Sequence, residues 1–294
     1  MGAPEPKRRA LPREWVHRTP RGSFLGPLDG DSLPTGGARA PWRRSLEILR
    51  VLAKSDFRAR YRAQALGVVW SLLNPLVMMA IISLVFAQPF GSATPNYPMF
   101  VLLGLVVWQW LANSVNAGTQ SLVGNADLIK RTVFARATLP ISSVVSYGIN
   151  FLIESAIVLV FIPIYPHAFR LTPALLVIPL LLVALAALLV GVTLATSVLN
   201  VIYRDVAYIV NTALLIFYWL TPIIYPLEKL SPTYQRILAW NPVGAVMCAV
   251  RAAVMEGRAP SLADWAHVMI PTALVLAIGL LIFRRHERLA LDYV

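Results

Sequence analysis

Residues 56–75 read DFRARYRAQALGVVWSLLNP and join a basic segment directly to a long uncharged one. After Arg62 no charged side chain occurs until Asp127. An uncharged stretch of this length is typical of membrane-spanning helices, and the cations in front of it favour a cytoplasmic start. The stretch therefore predicts an integral membrane protein whose N-terminus lies inside the cell.

Composition supports this class over the whole chain. Charged residues make up only 14% of the 294 positions and hydrophobic residues 57%, whereas an ordinary globular domain has about 25% charged residues. The net charge of +12 is concentrated at one end, with 14 of the 26 cations in residues 1–62. This distribution is that of a cytoplasmic flank, so we expect no nucleic-acid partner.

The uncharged stretches predict six membrane-spanning helices, each near the roughly 20 residues that cross the hydrocarbon core. With both termini inside, 21 cations lie in the cytoplasmic pieces and five in the outer pieces, as the positive-inside rule requires. We therefore expect an all-α, multi-pass transmembrane domain over 67–283 and a cytoplasmic C-terminus at 284–294. The approximate spans are 67–88, 98–121, 140–163, 174–199, 206–226 and 264–283.

Two segments precede the first span. Residues 1–41 are rich in Pro and Gly and show little apolar periodicity, which predicts a disordered cytoplasmic tail. Residues 42–66 alternate apolar and basic side chains at helical spacing. This pattern predicts an amphipathic helix on the membrane surface, where its basic face meets anionic headgroups. A soluble helix packed on a partner protein is the alternative interpretation.

Two loops have a pattern of their own. The cytoplasmic segment 125–137 suits docking into a groove of another protein, although its apolar residues would also fit under the chain's own spans. The outer segment 228–258 contains Asn241-Pro242 and an apolar part too short to span, so it predicts either re-entrant helices or a surface hairpin. Charged and apolar residues of the first loop recur at helical spacing: Asp127, Leu128, Ile129, Lys130, Arg131 and Phe134.

Polar and aromatic residues within the spans leave alternatives open. Glu154 stands near the middle of the third span, where an ionised carboxylate costs at least about 2.5 kcal/mol. It either lines a hydrated path or is held by Ser146, Tyr147 or Asn150 inside the protein. Aromatic side chains of the spans suit either sugar surfaces in a pore or anchoring at the membrane interface: Trp108, Trp110, Tyr218, Trp219 and Tyr225.

Catalytic motifs are missing from the sequence. It contains no phosphate-binding Gly-rich loop, no His-Glu-x-x-His and no Cys or His cluster, and Cys248 is its single cysteine. We therefore expect no catalytic, cofactor-binding or metal site on this chain. A polytopic enzyme that modifies lipid-linked sugars remains the alternative of another class, although its acids and histidines should then cluster at one membrane face.

From about residue 45 to the end, the sequence resembles the membrane subunits of type 2 ABC exporters of polysaccharides, the Wzm-like permeases for O-antigen, capsule and teichoic acid. Several short motifs carry this resemblance together, in order and at matching spacing. They are Arg60-Tyr61-Arg62 with Leu66-Gly67, Trp70 with Asn74-Pro75, Asn125 with Leu128-Ile129 and Leu139-Pro140, Tyr203-Arg204-Asp205, Thr221-Pro222-Ile223 with Tyr225, Asn241-Pro242 with Arg251, and the ending 283–294.

The resemblance implies a homodimer around a channel in the bacterial plasma membrane, with two separate nucleotide-binding subunits that carry ATP and Mg²⁺. The cargo would be an undecaprenyl-linked polysaccharide, and a cell-wall galactan is the leading expectation beside O-antigen and teichoic acid. A type 2 ABC exporter of a small lipid or drug would share this architecture. Membrane lipids would be the remaining partners.

The resemblance also assigns roles to residues. The loop 125–137, with Arg204 and Asp205, would couple to the ATPase, and the segment 228–258 would form gate helices on the outer side. Arg58, Arg60 and Arg62 would lie close to where a lipid pyrophosphate enters, and would bind either membrane headgroups or that pyrophosphate. The channel lining would comprise Trp70, Asn74, Trp108, Glu154, Tyr218, Trp219 and Tyr225, and the outer gate Trp240, Asn241, Pro242 and Arg251.

Overall fold

The computed structural model describes residues 41–62, 68–86, 88, 90, 94–131, 134–165 and 168–293. The tail predicted over 1–41 lies almost entirely outside these residues. All regular elements of the described part are helical, so the predicted all-α fold class is confirmed. The ten α-helices are α1 Pro41–Arg62, α2 Val68–Phe86, α3 Tyr97–Gly124, α4 Ala126–Arg131, α5 Thr138–Phe161, α6 Ile178–Ile202, α7 Val206–Leu220, α8 Pro232–Ala239, α9 Pro242–Arg251 and α10 Leu262–Tyr293.

Five helical segments of the described chain are long and apolar enough to cross a membrane. They agree with five of the six predicted spans, and the sixth is shorter than expected. The span predicted over 206–226 contains only the 15-residue α7, about 22 Å long at the usual helical rise. Helix α7 ends before Pro222 because a residue that precedes proline is disfavoured in the helical conformation, and residues 221–226 continue without regular structure.

Helices α8 and α9 form a sharply bent pair. Pro232–Ala239 and Pro242–Glu256 meet at an angle of 102° across a short break. The break falls at Asn241-Pro242, and a π-helical turn, Ala252–Glu256, extends α9. The sharp bend agrees with the predicted interruption of segment 228–258 by Asn241-Pro242.

Helix α3 is the centre of the bundle. In the apolar, membrane-length segment of α3, 78% is buried inside the protein, whereas the corresponding value for α2 is 17%. It packs mainly on α5 and α6, and the core around it includes Val101, Leu102, Leu185 and Leu189. Helices α2 and α7 lie at the periphery and leave most of their apolar side chains exposed.

Helices α6 and α10 make the most extensive contact in the described bundle. They cross where Gly191 meets Gly279, and a Cβ built on Gly279 would overlap the backbone of Gly191. Small residues allow two membrane helices to approach this closely. These two glycines therefore set the distance between α6 and α10.

Helix α1 packs on its own chain. Ile48, Leu52 and Ala53 are buried against α5, and the Ser146 hydroxyl donates a hydrogen bond to the Ala53 carbonyl at 3.4 Å. On the other face, Arg50 and Lys54 are exposed. Part of the apolar face of the predicted amphipathic helix therefore packs on protein, and the basic face is free for headgroups.

Candidate functional sites

One end of the bundle gathers the loops predicted to couple to another protein. The middle of α1, the ends of α3 and α6, the start of α5 and a part of α10 form a second apolar cluster there, which includes Leu52, Leu122, Val201 and Phe283. Helix α4 follows α3 directly at this end, and the turn between α6 and α7 follows Val201 of the same cluster. This end of the bundle is called the α4 end below.

Helix α4 presents its charged residues and half-buries its apolar ones. Asp127 and Lys130 are exposed, whereas Leu128, Ile129 and Phe134 pack against the second apolar cluster. The side chain of Arg131 lies outside the described residues. The apolar residues of this loop therefore pack under the chain's own helices, and docking of its exposed charges on a partner stays a prediction.

Arg204 and Asp205 lie in the short turn that joins α6 to α7, and both are exposed. The turn is fixed by Asn200, whose side-chain oxygen accepts a hydrogen bond from the backbone N–H of Ala207 at 3.1 Å. The structure thus brings this charged pair to the same end of the bundle as Asp127 and Lys130. On α1, Arg58 is exposed, while the side chains of Arg60 and Arg62 lie outside the described residues.

The residues predicted to line a channel fall into three groups by exposure. Trp70, Asn74 and Trp219 are exposed on the peripheral helices α2 and α7. Trp108 and Glu154 are buried, with 8% and 3% of their surface exposed. This conformation therefore places Trp108 and Glu154 inside the chain, and their role in a channel stays a prediction.

Tyr218 and Tyr225 are half-buried at the far end of α7. The Tyr218 ring packs edge-on against Trp108, with 5.5 Å between centroids. The Tyr225 hydroxyl donates to the carbonyls of Trp219 and Leu220, each at 3.1 Å. Because these carbonyls lie in the last turn of α7 and have no helical partner, Tyr225 caps the helix.

The proposed outer gate begins at the bend between α8 and α9. The Asn241 side-chain oxygen accepts from the backbone N–H groups of Val243 and Gly244, at 3.1 and 3.3 Å. Its amide nitrogen donates to the Thr221 hydroxyl at 3.0 Å. Pro242 occupies the first turn of α9, where its missing N–H costs nothing. Asn241-Pro242 is therefore a helix start that also ties α9 to the segment after α7.

Trp240 stands beside this bend with an exposed ring. Its indole packs edge-on against His267 of α10, with 5.1 Å between centroids. Trp240 thus remains available at the surface of the candidate gate, while Asn241 and Pro242 hold its backbone.

Arg251 is buried, although the sequence places it in the outer gate. Only 5% of its surface is exposed, and its guanidinium donates to the carbonyls of Phe100, Pro222 and Ile223. The guanidinium carbon also lies 3.5 Å from the centroid of the Phe100 ring. Arg251 is therefore an internal anchor that joins α9, the start of α3 and the segment after α7, and it does not present its charge to a gate opening.

Sequence reasoning missed two partners of this anchor. A Cβ on Gly104 would overlap the Arg251 guanidinium, so this glycine makes room for the arginine. The Tyr97 hydroxyl adds a hydrogen bond of 2.7 Å to the Ile224 carbonyl. A cation inside an otherwise uncharged segment was the available signal, because such a charge needs partners within the protein.

Comparison with known proteins identifies the family of this chain. The model of the ABC-2 type transporter family matches residues 47–255. The chain belongs to the ABC-2 type transporter family. The match runs from α1 through the π-helical turn after α9, so it contains the α4 end, α7 and the bent pair.

Curated relatives of the chain are permease and transport proteins. An O-antigen export system permease protein RfbA of Klebsiella pneumoniae is 30% identical over 81% of this chain and 92% of its own length. A protein of the same name from Myxococcus xanthus is 30% identical over 72% of this chain and 82% of its own. The polysialic acid transport protein KpsM of Escherichia coli is 24% identical over 83% of this chain and 97% of its own.

Proposed function

We propose that this ABC-2 permease forms the channel of an ATP-driven exporter that carries an undecaprenyl-linked polysaccharide out of the cell. The observation that carries this proposal is the similarity to export permeases for O-antigen and polysialic acid, which extends over 82% to 97% of those proteins. With coverage this high, the similarity extends over most of each permease and is not limited to a short shared segment. The similarity to both kinds of transporter favours a polysaccharide over a small lipid or drug.

The proposed assembly contains two copies of this chain and two separate nucleotide-binding subunits, which bind ATP and Mg²⁺. Helices α2 and α7 leave apolar side chains exposed that a single copy does not cover, among them Trp70 and Trp219. On α7 the exposed residues also include the polar Asn211 and Thr212. Polar side chains within a membrane helix generally face protein or a hydrated cavity, which favours a second copy along α7.

The proposed orientation places both termini in the cytoplasm. The 21 cations on that side against five on the other support it. The α4 end then faces the nucleotide-binding subunits, with Asp127, Lys130, Arg204 and Asp205 exposed towards them. Arg58 lies on the same side, where the pyrophosphate of a lipid-linked glycan would enter.

Within this class of cargo we propose a cell-wall galactan. The chain is rich in alanine, arginine and valine, which suggests a G+C-rich genome, and this is the basis for the galactan. O-antigen and teichoic acid are the other members of the same cargo class. If galactan is the cargo, a strain without this chain should accumulate galactan on its lipid carrier inside the cell.

The experiment is depletion of this chain in its native host, followed by chemical analysis of lipid-linked glycan on each side of the membrane. Accumulation of one polymer inside, and its return to the surface on complementation, is the expected result. Purification of the complementing protein should also bring down an ATPase with a phosphate-binding loop. Normal surface glycan in the depleted strain, or purification without an ATPase, would overturn the proposed function.

A further inference from the structure

A cavity of about 450 Å³ lies at the end of the bundle opposite the α4 end. Its walls come from the segment before α3, the residues before the helical turn Pro173–Val177, the segment after α7, and α9 with its π-helical turn. Its volume falls within the range of roughly 300 to 1,000 Å³ that small-molecule sites occupy. In the proposed orientation this cavity is on the outside of the cell.

Short hydrogen bonds hold the walls in place. The Arg170 backbone N–H donates to the Val254 carbonyl at 2.9 Å, joining the loop before α6 to the π-helical turn. The Thr172 hydroxyl donates to the Gly257 carbonyl at 3.2 Å, and Gly257 has the positive φ of 69° that ends this turn. Together with the Arg251 anchor, these bonds preform the cavity.

Three polar side chains of the lining have no partner in the described chain. The Thr94 hydroxyl is buried, with 9% of the residue exposed, and makes no hydrogen bond there. Arg170 and Glu228 also line the cavity. Both are exposed at its mouth, and neither forms an ion pair with a described residue. A buried hydroxyl without a hydrogen bond is unfavourable, so Thr94 points to a ligand that supplies the missing bond.

Three arginines and two glutamates line the cavity, and most of them are engaged by other groups of the protein. Glu256 and Arg258 also line it and pair with each other at 3.4 Å, and the Arg251 guanidinium donates to backbone carbonyls. Beside the Asn96 amide, the groups left for a ligand are one guanidinium, which only donates, one carboxylate, which only accepts, and one hydroxyl, which does both. With Arg251 and Arg258 engaged, only Arg170 is left to attract an anion, and the Glu228 carboxylate in the same lining disfavours phosphate.

We infer that this cavity binds a neutral sugar unit, such as one residue of a glycan on the outer side of the membrane. Each sugar hydroxyl both donates and accepts, so adjacent hydroxyls satisfy Arg170 and Glu228 together. Apolar lining from Leu227, Ala252 and Met255 suits the C–H faces of the ring. That the sugar belongs to an exported glycan rests on the proposed function. That the cavity binds a sugar rests on the residues that line it.

The test measures sugar binding to the full chain in lipid nanodiscs, because maltoside detergents carry a sugar headgroup of their own. Saturation-transfer NMR would be recorded with galactose, mannose, rhamnose, N-acetylglucosamine and lactose. We expect binding with a Kd on the order of 1 mM for at least one of them. Arg170→Gln and Glu228→Gln should each weaken it about tenfold, since each loses a charged hydrogen-bonding group.

The matched controls lie outside the cavity. Lys229→Gln changes the residue next to Glu228, and Arg236→Gln changes an exposed arginine of α8, so neither should alter sugar binding. Absence of binding for the whole sugar panel would overturn the inference, as would equal losses in the control variants. Inorganic phosphate that binds through Arg170 would also overturn it, because the site would then be an anion site.

The proposed function is tested separately by the depletion experiment. Restored glycan export together with absent sugar binding would refute the sugar site alone. The opposite outcome would refute the export function alone. In that case the purified chain binds sugar through Arg170 and Glu228, but depletion of the chain leaves the surface glycan of the host unchanged.

Discussion

At the residue scale, Arg251 shows how a charge is tolerated within an apolar part of the chain. Its guanidinium donates to three backbone carbonyls from two segments and covers the Phe100 ring. Planar donors on one rigid group make this multiple contact possible, and a lysine ammonium lacks that geometry. The arginine is therefore a structural residue whose removal should be felt in stability.

We expect Arg251→Ala to lower the free energy of unfolding by about 3 kcal/mol or more, because three buried carbonyls lose a charged donor. The measurement is thermal unfolding of the purified protein followed by tryptophan fluorescence. Arg258→Ala is the control, since Arg258 is 61% exposed and pairs only at the surface, where an ion pair contributes about 0–1 kcal/mol. Equal effects of the two variants would contradict the anchoring role.

Gly104 and Glu154 mark the limit of sequence reasoning at this scale. The sequence identifies Glu154 as a costly side chain within a span, yet its burial between helices depends on how α5 packs. Gly104 gives no sequence signal of its own, because its partner Arg251 is far away in the chain. Side-chain environments made by distant segments cannot be read from local spacing.

At the element scale, the contact of α6 with α10 depends on two glycines. Gly279→Ala would place a methyl group on the Gly191 backbone, and backbone cannot yield as a flexible side chain does. We therefore expect the helices to separate and the protein to lose about 1–3 kcal/mol of stability. Thermal unfolding of the purified variant measures this loss.

Gly124→Ala is the matched control for that variant. A Cβ at Gly124 meets no atom within 4 Å, and alanine is the better helix former by about 1 kcal/mol. Gly124→Ala should therefore leave the unfolding temperature unchanged or raise it. A loss as large as that of Gly279→Ala would mean that close approach is not the reason for the glycine.

The placement of α4 changes how coupling is to be tested. Leu128 and Ile129 pack against the second apolar cluster, so aspartate at these positions would disturb the fold as well as any docking. Asp127→Lys and Lys130→Glu alter exposed charges only. We expect each to reduce export and recovery of the ATPase at least about fivefold, with normal amounts of permease in the membrane.

Arg236→Glu is the control for the α4 variants, because Arg236 is an exposed cation on α8, at the opposite end of the bundle from α4. Recovery of the ATPase should be normal in this variant, because Arg236 lies in the segment 228–258 and not at the α4 end. Full activity of both α4 variants would remove Asp127 and Lys130 from the coupling surface.

Element bounds were predictable where hydrophobicity alone decides them. The spans at α2, α3 and α5 agree with the sequence because charge and length define a membrane helix. Helix α7 is shorter than its uncharged stretch because Pro222 ends it early. The Tyr225 hydroxyl then donates to the free Leu220 carbonyl, and the Asn241 amide donates to the Thr221 hydroxyl. Hydropathy does not register such local hydrogen bonding.

At the scale of the whole molecule, α2 and α7 are among the helices whose apolar faces one copy leaves uncovered. The single cysteine Cys248 allows a clean test of a second copy along α7. In a Cys248→Ser background, Asn211→Cys should form a disulfide between copies on mild oxidation, if the two copies of α7 meet at this position. Crosslinked dimer on a non-reducing gel is the readout.

Leu152→Cys supplies the comparison, because Leu152 is exposed on α5, away from α7. We expect at least about tenfold less crosslinking there, since a disulfide requires Cα atoms within roughly 7 Å. Equal crosslinking at both positions would indicate random collision, and no crosslinking at Asn211 would place the contact between copies elsewhere.

We expect the Arg251 anchor to divide the end of the bundle opposite the α4 end into a rigid part and a mobile part. Helix α9, the start of α3 and residues 222–223 are bonded through one side chain, whereas α8 lies beyond a 102° bend and has no buried residue. Backbone amides of α9 should therefore exchange with solvent deuterium slowly, at rates set by global unfolding, and those of α8 quickly, through local opening. We therefore expect motion at this end to be confined to α8, which would pivot about Trp240 while α9 stays fixed.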